Sequence, residues 1–206
     1  MTEIIVVIGV IIVSMTLHEV AHAYVAYWLG DHTAKAAGRL TFNPIKHLDP
    51  VMSLALPIML ALMRAPIFGG AKPVPLDFTR IKWGDTGVAC VAIAGPLVNF
   101  LLAFISFSIL HYVQIPANTL LATVLITAVM VNLGFFIFNM LPIPPLDGSR
   151  ILYAFAPDAI QNFMRNMERF GIFIVMMLVL VFGPVFSTIM ISAMQAIITL
   201  FTYLVF

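Results

Sequence analysis

Thr86–Leu146 is a stretch of sixty-one residues without one Asp, Glu, Lys or Arg. No soluble fold can bury a run of that length, and one helical crossing of a bilayer takes about 20 residues. The stretch therefore predicts two membrane-crossing helices, broken at Gln114-Ile115-Pro116-Ala117-Asn118, where Pro and Asn supply a turn. Two further runs behave alike: Ile4–Gly30, whose single charge is Glu19, and the charge-free Phe170–Phe206. Only 9% of the 206 residues are charged, against about 25% in a soluble domain. Disorder, a secreted disulfide scaffold and an ordinary cytosolic enzyme are excluded. A net charge of +1 makes no case for nucleic acid. Cys90 is the one cysteine, so no intramolecular disulfide is available, and it reads as a small apolar residue.

The expectation is an all-α polytopic membrane protein with about five transmembrane helices. Residues 4–29 make the first and the long run the next two. The last run makes two shorter crossings, or one long helix kinked at Gly183-Pro184. Residues 51–63 are too few to cross and read as a short re-entrant helix. Small extended or β segments are expected at 38–42 and 70–76. The start lacks a basic leader and does not read as a signal peptide. The chain reads as one membrane-embedded domain, 1–206, with a core over about 1–155 and accessory helices over 156–206.

Basic residues orient it. Lys35, Arg39, Lys46, Arg64, Lys72, Arg80 and Lys82 lie between the first helix and the long run, and Arg150, Arg165 and Arg169 follow that run. The 114–118 turn has none. The positive-inside rule puts 31–85 and 147–169 in the cytosol of a cell-membrane protein, with the turn and the N-terminus outside.

Ionisable groups at membrane depth are expensive and are functional candidates by default. His18, Glu19 and His22 sit inside the first apolar run, as His-Glu-Val-Ala-His. Residues i and i+4 lie about 40° apart on a helix, so both imidazoles can reach one metal ion. Glu19, beside the first, is placed to take a proton from a water the metal activates. With this composition the pattern arises by accident with a probability of roughly 0.002. The bland alternative is a polar cluster that holds helices together, although apolar residues would pack there at lower cost.

Catalytic zinc usually takes three protein ligands. His32 and His47 stand in the cytosolic loop among charged neighbours and read as solvated. His111 falls near the outer end of its helix, the wrong side. Asp147 closes the long run in Asn139-Met140-Leu141-Pro142-Ile143-Pro144-Pro145-Leu146-Asp147-Gly148. Its prolines break the helix, and irregular backbone at membrane depth is tolerated only beside protein or a water-filled cavity. On the residues alone, Asp147 is equally a third ligand or the N-cap of the next helix.

Together these segments resemble the site-2 protease family of intramembrane zinc metalloproteases. The resemblance rests on His18-Glu19-Val20-Ala21-His22 and on Asn139…Pro142…Pro144…Leu146-Asp147-Gly148. Gly69-Gly70-Ala71 and Ala94-Gly95-Pro96-Leu97-Val98-Asn99-Phe100 also look like family segments. It runs from about residue 10 to 155 and is similar to the minimal branch, with no leading helix, PDZ domain or nucleotide-binding regulatory domain expected. It implies one Zn2+ per chain held by His18, His22 and Asp147, with Glu19 as the base and Asn139 at the catalytic centre, stabilising substrate or oxyanion. Gly95 and Asn99 match a motif that packs against the core. The implied partners are transmembrane segments of substrate proteins, cleaved as extended chain from a cavity open to the cytosol. An edge at 38–42 or 70–76 could hold that chain by β-augmentation, the plain alternative being ordinary connections. The competing reading of the whole is a non-catalytic membrane metal-binding or transport protein using the same ligands. An inactive relative serving as adaptor is a weaker one, because base and ligands are all present.

Overall fold

The computed structural model describes residues 2–49 and 72–205. The expected re-entrant helix at 51–63, and Gly69-Gly70-Ala71, lie outside the described residues. The helices are α1 (Thr2–Trp28), α2 (Thr33–Ala36), α3 (Gly84–Val113), α4 (Leu120–Asn139), α5 (Asp147–Phe155), α6 (Asp158–Glu168), α7 (Gly171–Val181) and α8 (Gly183–Val205). Short 3-10 turns stand at Pro44–Lys46 and Phe78–Arg80. Four described helices, α1, α3, α4 and α8, are long and apolar enough to cross a membrane.

The break expected between the helices of the long run falls where the residues placed it. Gln114 ends α3 in the left-handed region at φ 48°, and the Thr119 hydroxyl caps α4 by accepting from the Ala122 N–H. The last apolar run resolves differently from a pair of crossings. At about 1.5 Å per residue, eleven-residue α7 reaches about 16 Å, half a bilayer core. Both its ends lie at one end of the bundle. Gly171 packs against Pro144 and Pro145, and just beyond Gly183 the Phe186 ring meets Phe138 near the end of α4. The expected Gly183-Pro184 break is therefore where α8 begins, and of the last run's two helices only α8 is long and apolar enough to cross.

Contacts along the helices fix their directions. The Lys82 N–H donates to the Leu29 carbonyl, and His18 meets Asn99, so α1 and α3 run antiparallel. Tyr112 donates to the Val205 carbonyl. Phe201 is fully buried among Phe100, Phe104 and Phe107. α8 thus runs parallel to α3 and opposite to α4. The start of α1, the α3–α4 turn and the end of α8 share one end of the bundle. Residues 29–49, 72–83 and 140–171 share the other, as the basic-residue pattern requires.

Neither expected extended segment forms a strand among the described residues. Residues 38–42 are turn, bend and irregular chain. Residues 72–77 instead make a strap fastened at four points. The Lys72 N–H donates to the His47 carbonyl and the Lys72 carbonyl accepts from Arg39 Nη2. The Val74 N–H donates to Glu19, and the Asp77 N–H to the fully buried Asp31 carboxylate. Asp77 then caps the 78–80 turn, and the Thr79 hydroxyl holds its carboxyl below the usual carboxylate range.

Candidate metal centre

His18 and His22 are one helical turn apart on the inner face of α1, both buried. That turn lies against α3 at Gly95. A Cβ there would stand 2.6 Å from His18 Nε2 and closer still to His22 Nε2, so only glycine lets the backbone come this near. Asp147 arrives from the other end of the long run as the first residue of α5. The cap position is Leu146, and no side chain caps this helix. The N-cap alternative for Asp147 is thereby settled: its carboxylate turns to the histidines. The prolines end α4 short of a tight return, in which the Leu146 N–H donates to Ile143 and the Ser149 hydroxyl to Leu146. Gly148 makes the return possible, since a Cβ there would meet the backbone of Met140 and Leu141.

His18 Nε2 and His22 Nε2 are 3.0 Å apart, and Asp147 Oδ2 is 3.2 and 3.4 Å from them. Ligand bonds of about 2.0 Å around a tetrahedral zinc place neighbouring donors about 3.3 Å apart. Protonation gives a second test of fit. His22 Nδ1 lies 2.7 Å from the Val91 carbonyl, which can only accept, so His22 carries its proton there. His18 Nδ1 lies 2.6 Å from Asn99 Oδ1. Asn99 Nδ2 donates to Asn132 Oδ1, and Asn132 Nδ2 to the Ala128 carbonyl. A carbonyl at the end of this chain sets the direction of every bond, so His18 is also protonated on Nδ1. In these neutral tautomers both Nε2 lone pairs and a carboxylate oxygen converge on one point. That arrangement calls for a cation, and imidazoles anchored through their second nitrogen are the usual support of a zinc site.

Glu19 stands half-buried beside the three donors, its Oε2 accepting from the Val74 N–H at 2.9 Å. His18, Glu19, His22, Asp147 and Asn139 all line one cavity of about 360 Å³, walled on one side by Pro73, Val74 and Leu76 of the strap. Asn139, the last residue of α4, spends one N–H on the Phe135 carbonyl; the amide has a second.

The remaining histidines stand apart from this centre. His32 is exposed, edge-on to Tyr27. His111 closes α3 at the opposite end of the bundle, as expected. His47 corrects its reading as solvated: it is only 2% exposed. Its Nε2 donates to the Thr41 carbonyl and its own carbonyl holds the strap. The charged residues near it in sequence do not solvate it: Arg39 reaches its Nδ1, and the Lys72 backbone is tied to its carbonyl. Three contributors went unnoticed: the Val74 N–H on Glu19, the Asn132 link behind Asn99, and Arg150. Arg150 lines the cavity, lies over the Phe78 ring and pairs with Glu168. Asn132 carried a signal, being a polar residue within an apolar helix.

Helices long and apolar enough to cross a membrane, around two buried histidines and a half-buried aspartate with a second carboxylate in the same cavity, fit a membrane metallohydrolase. The model of peptidase family M50 matches residues 111–183, a stretch that holds Asn139 and Asp147. The Bacillus subtilis (strain 168) protein named "Putative zinc metalloprotease YwhC" is 40% identical over 82% of this chain and 77% of its own length. "Putative zinc metalloprotease Rip2" of Mycolicibacterium smegmatis is 29% identical over 82% of this chain. Its Mycobacterium tuberculosis H37Rv namesake is 30% identical over 84%. This chain spans 64% and 65% of those two proteins. No solved structure gives a significant match. The chain belongs to peptidase family M50, the site-2 protease family, and is a zinc metalloprotease.

Proposed function

We propose that the protein is an intramembrane endopeptidase that hydrolyses peptide bonds within transmembrane segments of other membrane proteins, with one zinc held by His18, His22 and Asp147. The observation that carries this reading is the depth of the site. His18 lies ten residues before the end of α1, about 15 Å along the helix, yet it opens on a cavity large enough for water and a short length of extended chain. A peptide bond delivered there comes from a membrane-spanning segment. The many Lys and Arg at the strap end of the bundle put that end, and the cavity mouth, in the cytosol, with the N-terminus outside.

When bound, zinc supplies Lewis acidity, making a water a better nucleophile and a carbonyl a better electrophile at one point. The residues do the rest. Glu19 takes the proton of the attacking water and hands it to the leaving amine. The Val74 N–H holds the Glu19 carboxylate facing the cavity. The second Asn139 N–H is available to the oxyanion. His18 and His22 remain neutral ligands, since their protons are committed on the far side of each ring. The substrate helix must open locally to expose its amide, and the strap residues 72–76 lie where extended chain would pass.

A cleavage assay with the purified, zinc-loaded chain and a panel of single-span peptides in lipid tests this. Mass spectrometry is expected to place the cuts inside the apolar segment, and chelation to stop them until zinc is restored. Cuts confined to soluble flanks would refute the reading. A second expectation concerns the strap. Val74→Pro deletes the N–H that Glu19 accepts, a bond to a charged group of about 1.5–3 kcal/mol. Turnover should fall by about 10–100-fold while zinc content stays at that of the parent. Unchanged turnover would remove the strap from catalysis.

A further inference from the structure

We propose that Asn132 is a positioning residue for the metal centre, acting through Asn99 to keep His18 Nε2 bare for the ion. Asn132 sits on α4, only 1% exposed, and is separated from His18 by the whole Asn99 side chain. It touches neither substrate cavity nor donor atoms.

The argument turns on the shape of an amide. Its oxygen and NH2 fill nearly the same volume, so the pocket around Asn99 admits either orientation and only the partners choose. With Oδ1 towards His18, the ring donates from Nδ1 and presents a bare Nε2. In the reverse orientation the Asn99 NH2 would donate to Nδ1, and the ring proton would move to Nε2. There it would face Asp147 Oδ2, 3.2 Å away. The result is a His–Asp hydrogen bond that satisfies the site without an ion. Metal binding and this closed pair exclude each other.

Asn132 opposes the closed pair. Its Nδ2 is committed to the Ala128 carbonyl at 2.8 Å, which leaves only its oxygen to face Asn99, also at 2.8 Å. Reversing Asn99 would set two amide oxygens against each other in a buried site, where an unmatched acceptor is costly. The helix backbone of α4 thus dictates, two amides away, which nitrogen of His18 carries the proton.

This rests on His18 being a ligand, and a zinc titration of the full chain in detergent, against a chromophoric chelator, separates the two ideas. Asn132→Leu is expected to weaken zinc binding by about 10–100-fold, the usual effect of losing an outer partner of a ligand. Asn99→Asp presents oxygen to His18 in either orientation, so the ring proton stays on Nδ1 whatever stands at 132, and its second oxygen opposes Asn132 Oδ1. In that background Asn132→Leu removes the opposing oxygen and should leave zinc affinity undiminished. A residue that merely packed α3 on α4 would cost the same in both backgrounds, and that result overturns the proposal. So does parental affinity in Asn132→Leu while His18→Ala has lost its zinc. Parental affinity in His18→Ala overturns the ligand assignment itself and this role with it. Asn132→Ala removes the same amide with a smaller side chain, and helical circular dichroism of each metal-free variant confirms that folded protein is being compared.

Discussion

Glu19→Gln is expected to keep one zinc per chain and to lower peptide cleavage by about 10²–10⁴-fold, the usual contribution of a positioned acid–base group. The substitution is nearly isosteric. The glutamine Oε1 can still accept from the Val74 N–H, so the strap should stay in place. His18, His22 and Asp147 already supply three donors with the spacing of a tetrahedral site, and Glu19 is not among them, so affinity for zinc should be that of the parent. What is lost is a group that can take a proton from water and give it up again. A membrane metal carrier with the same three ligands would have no use for that group. Zinc flux into liposomes would then survive Glu19→Gln, whereas a protease shows no such flux and loses cleavage. Cleavage at the parental rate would leave Glu19 without a chemical role. Loss of zinc together with cleavage would make it a ligand instead.

What could be read from the residues divides along one physical line: information local to a helix is legible, and registry between helices is not. His18 and His22 declared themselves because a metal needs i and i+4, and Gln114–Asn118 because apolar helices must turn somewhere. Asp147 lies 125 residues from His22 in the chain, and its own neighbourhood suits a cap as well as a ligand. Only the family resemblance favoured the ligand. The α1–α3 contact places Val91 and Asn99 behind the imidazoles, and no spacing in either helix announces it. The run after residue 170 exposed its break at Gly183-Pro184, yet hydropathy is indifferent to whether eleven apolar residues cross a bilayer or lie at its edge. The ring contact of Phe186 with Phe138 instead brings the start of α8 back to the end of α4. For His47, the contacts come from Arg39 and Lys72, eight residues before it and twenty-five beyond.

Gly95→Ala should abolish zinc binding at micromolar zinc and cleavage with it, although helix propensity argues for the opposite sign. In the interior of α3 an alanine would ordinarily stabilise by about 0.5–1 kcal/mol. Here its Cβ would lie 2.6 Å from His18 Nε2, 2.7 Å from His18 Cε1 and nearer still to His22 Nε2. Contacts below 3.0 Å force something to move. The imidazoles cannot simply turn aside, because each is tied through Nδ1 to α3 itself, at the Val91 carbonyl and at Asn99. If α3 withdraws, it draws those anchors away from the rings; if the rings swing, both bonds break and the Nε2 atoms leave Asp147. Either route disperses the donor set. Gly134→Ala on α4 is the matched control. Its nearest neighbour is the Met194 methyl, 3.2 Å from the new Cβ and at the free end of a flexible side chain. That variant should bind zinc and cleave like the parent, with a melting temperature equal or slightly higher. Helical content by circular dichroism should be the same in both, which separates a displaced metal site from a chain that has failed to fold. Parental zinc affinity in Gly95→Ala would mean that α1 and α3 do not approach as closely as the His18–Asn99 bond requires, and the site would have to be rebuilt from a different helix pair.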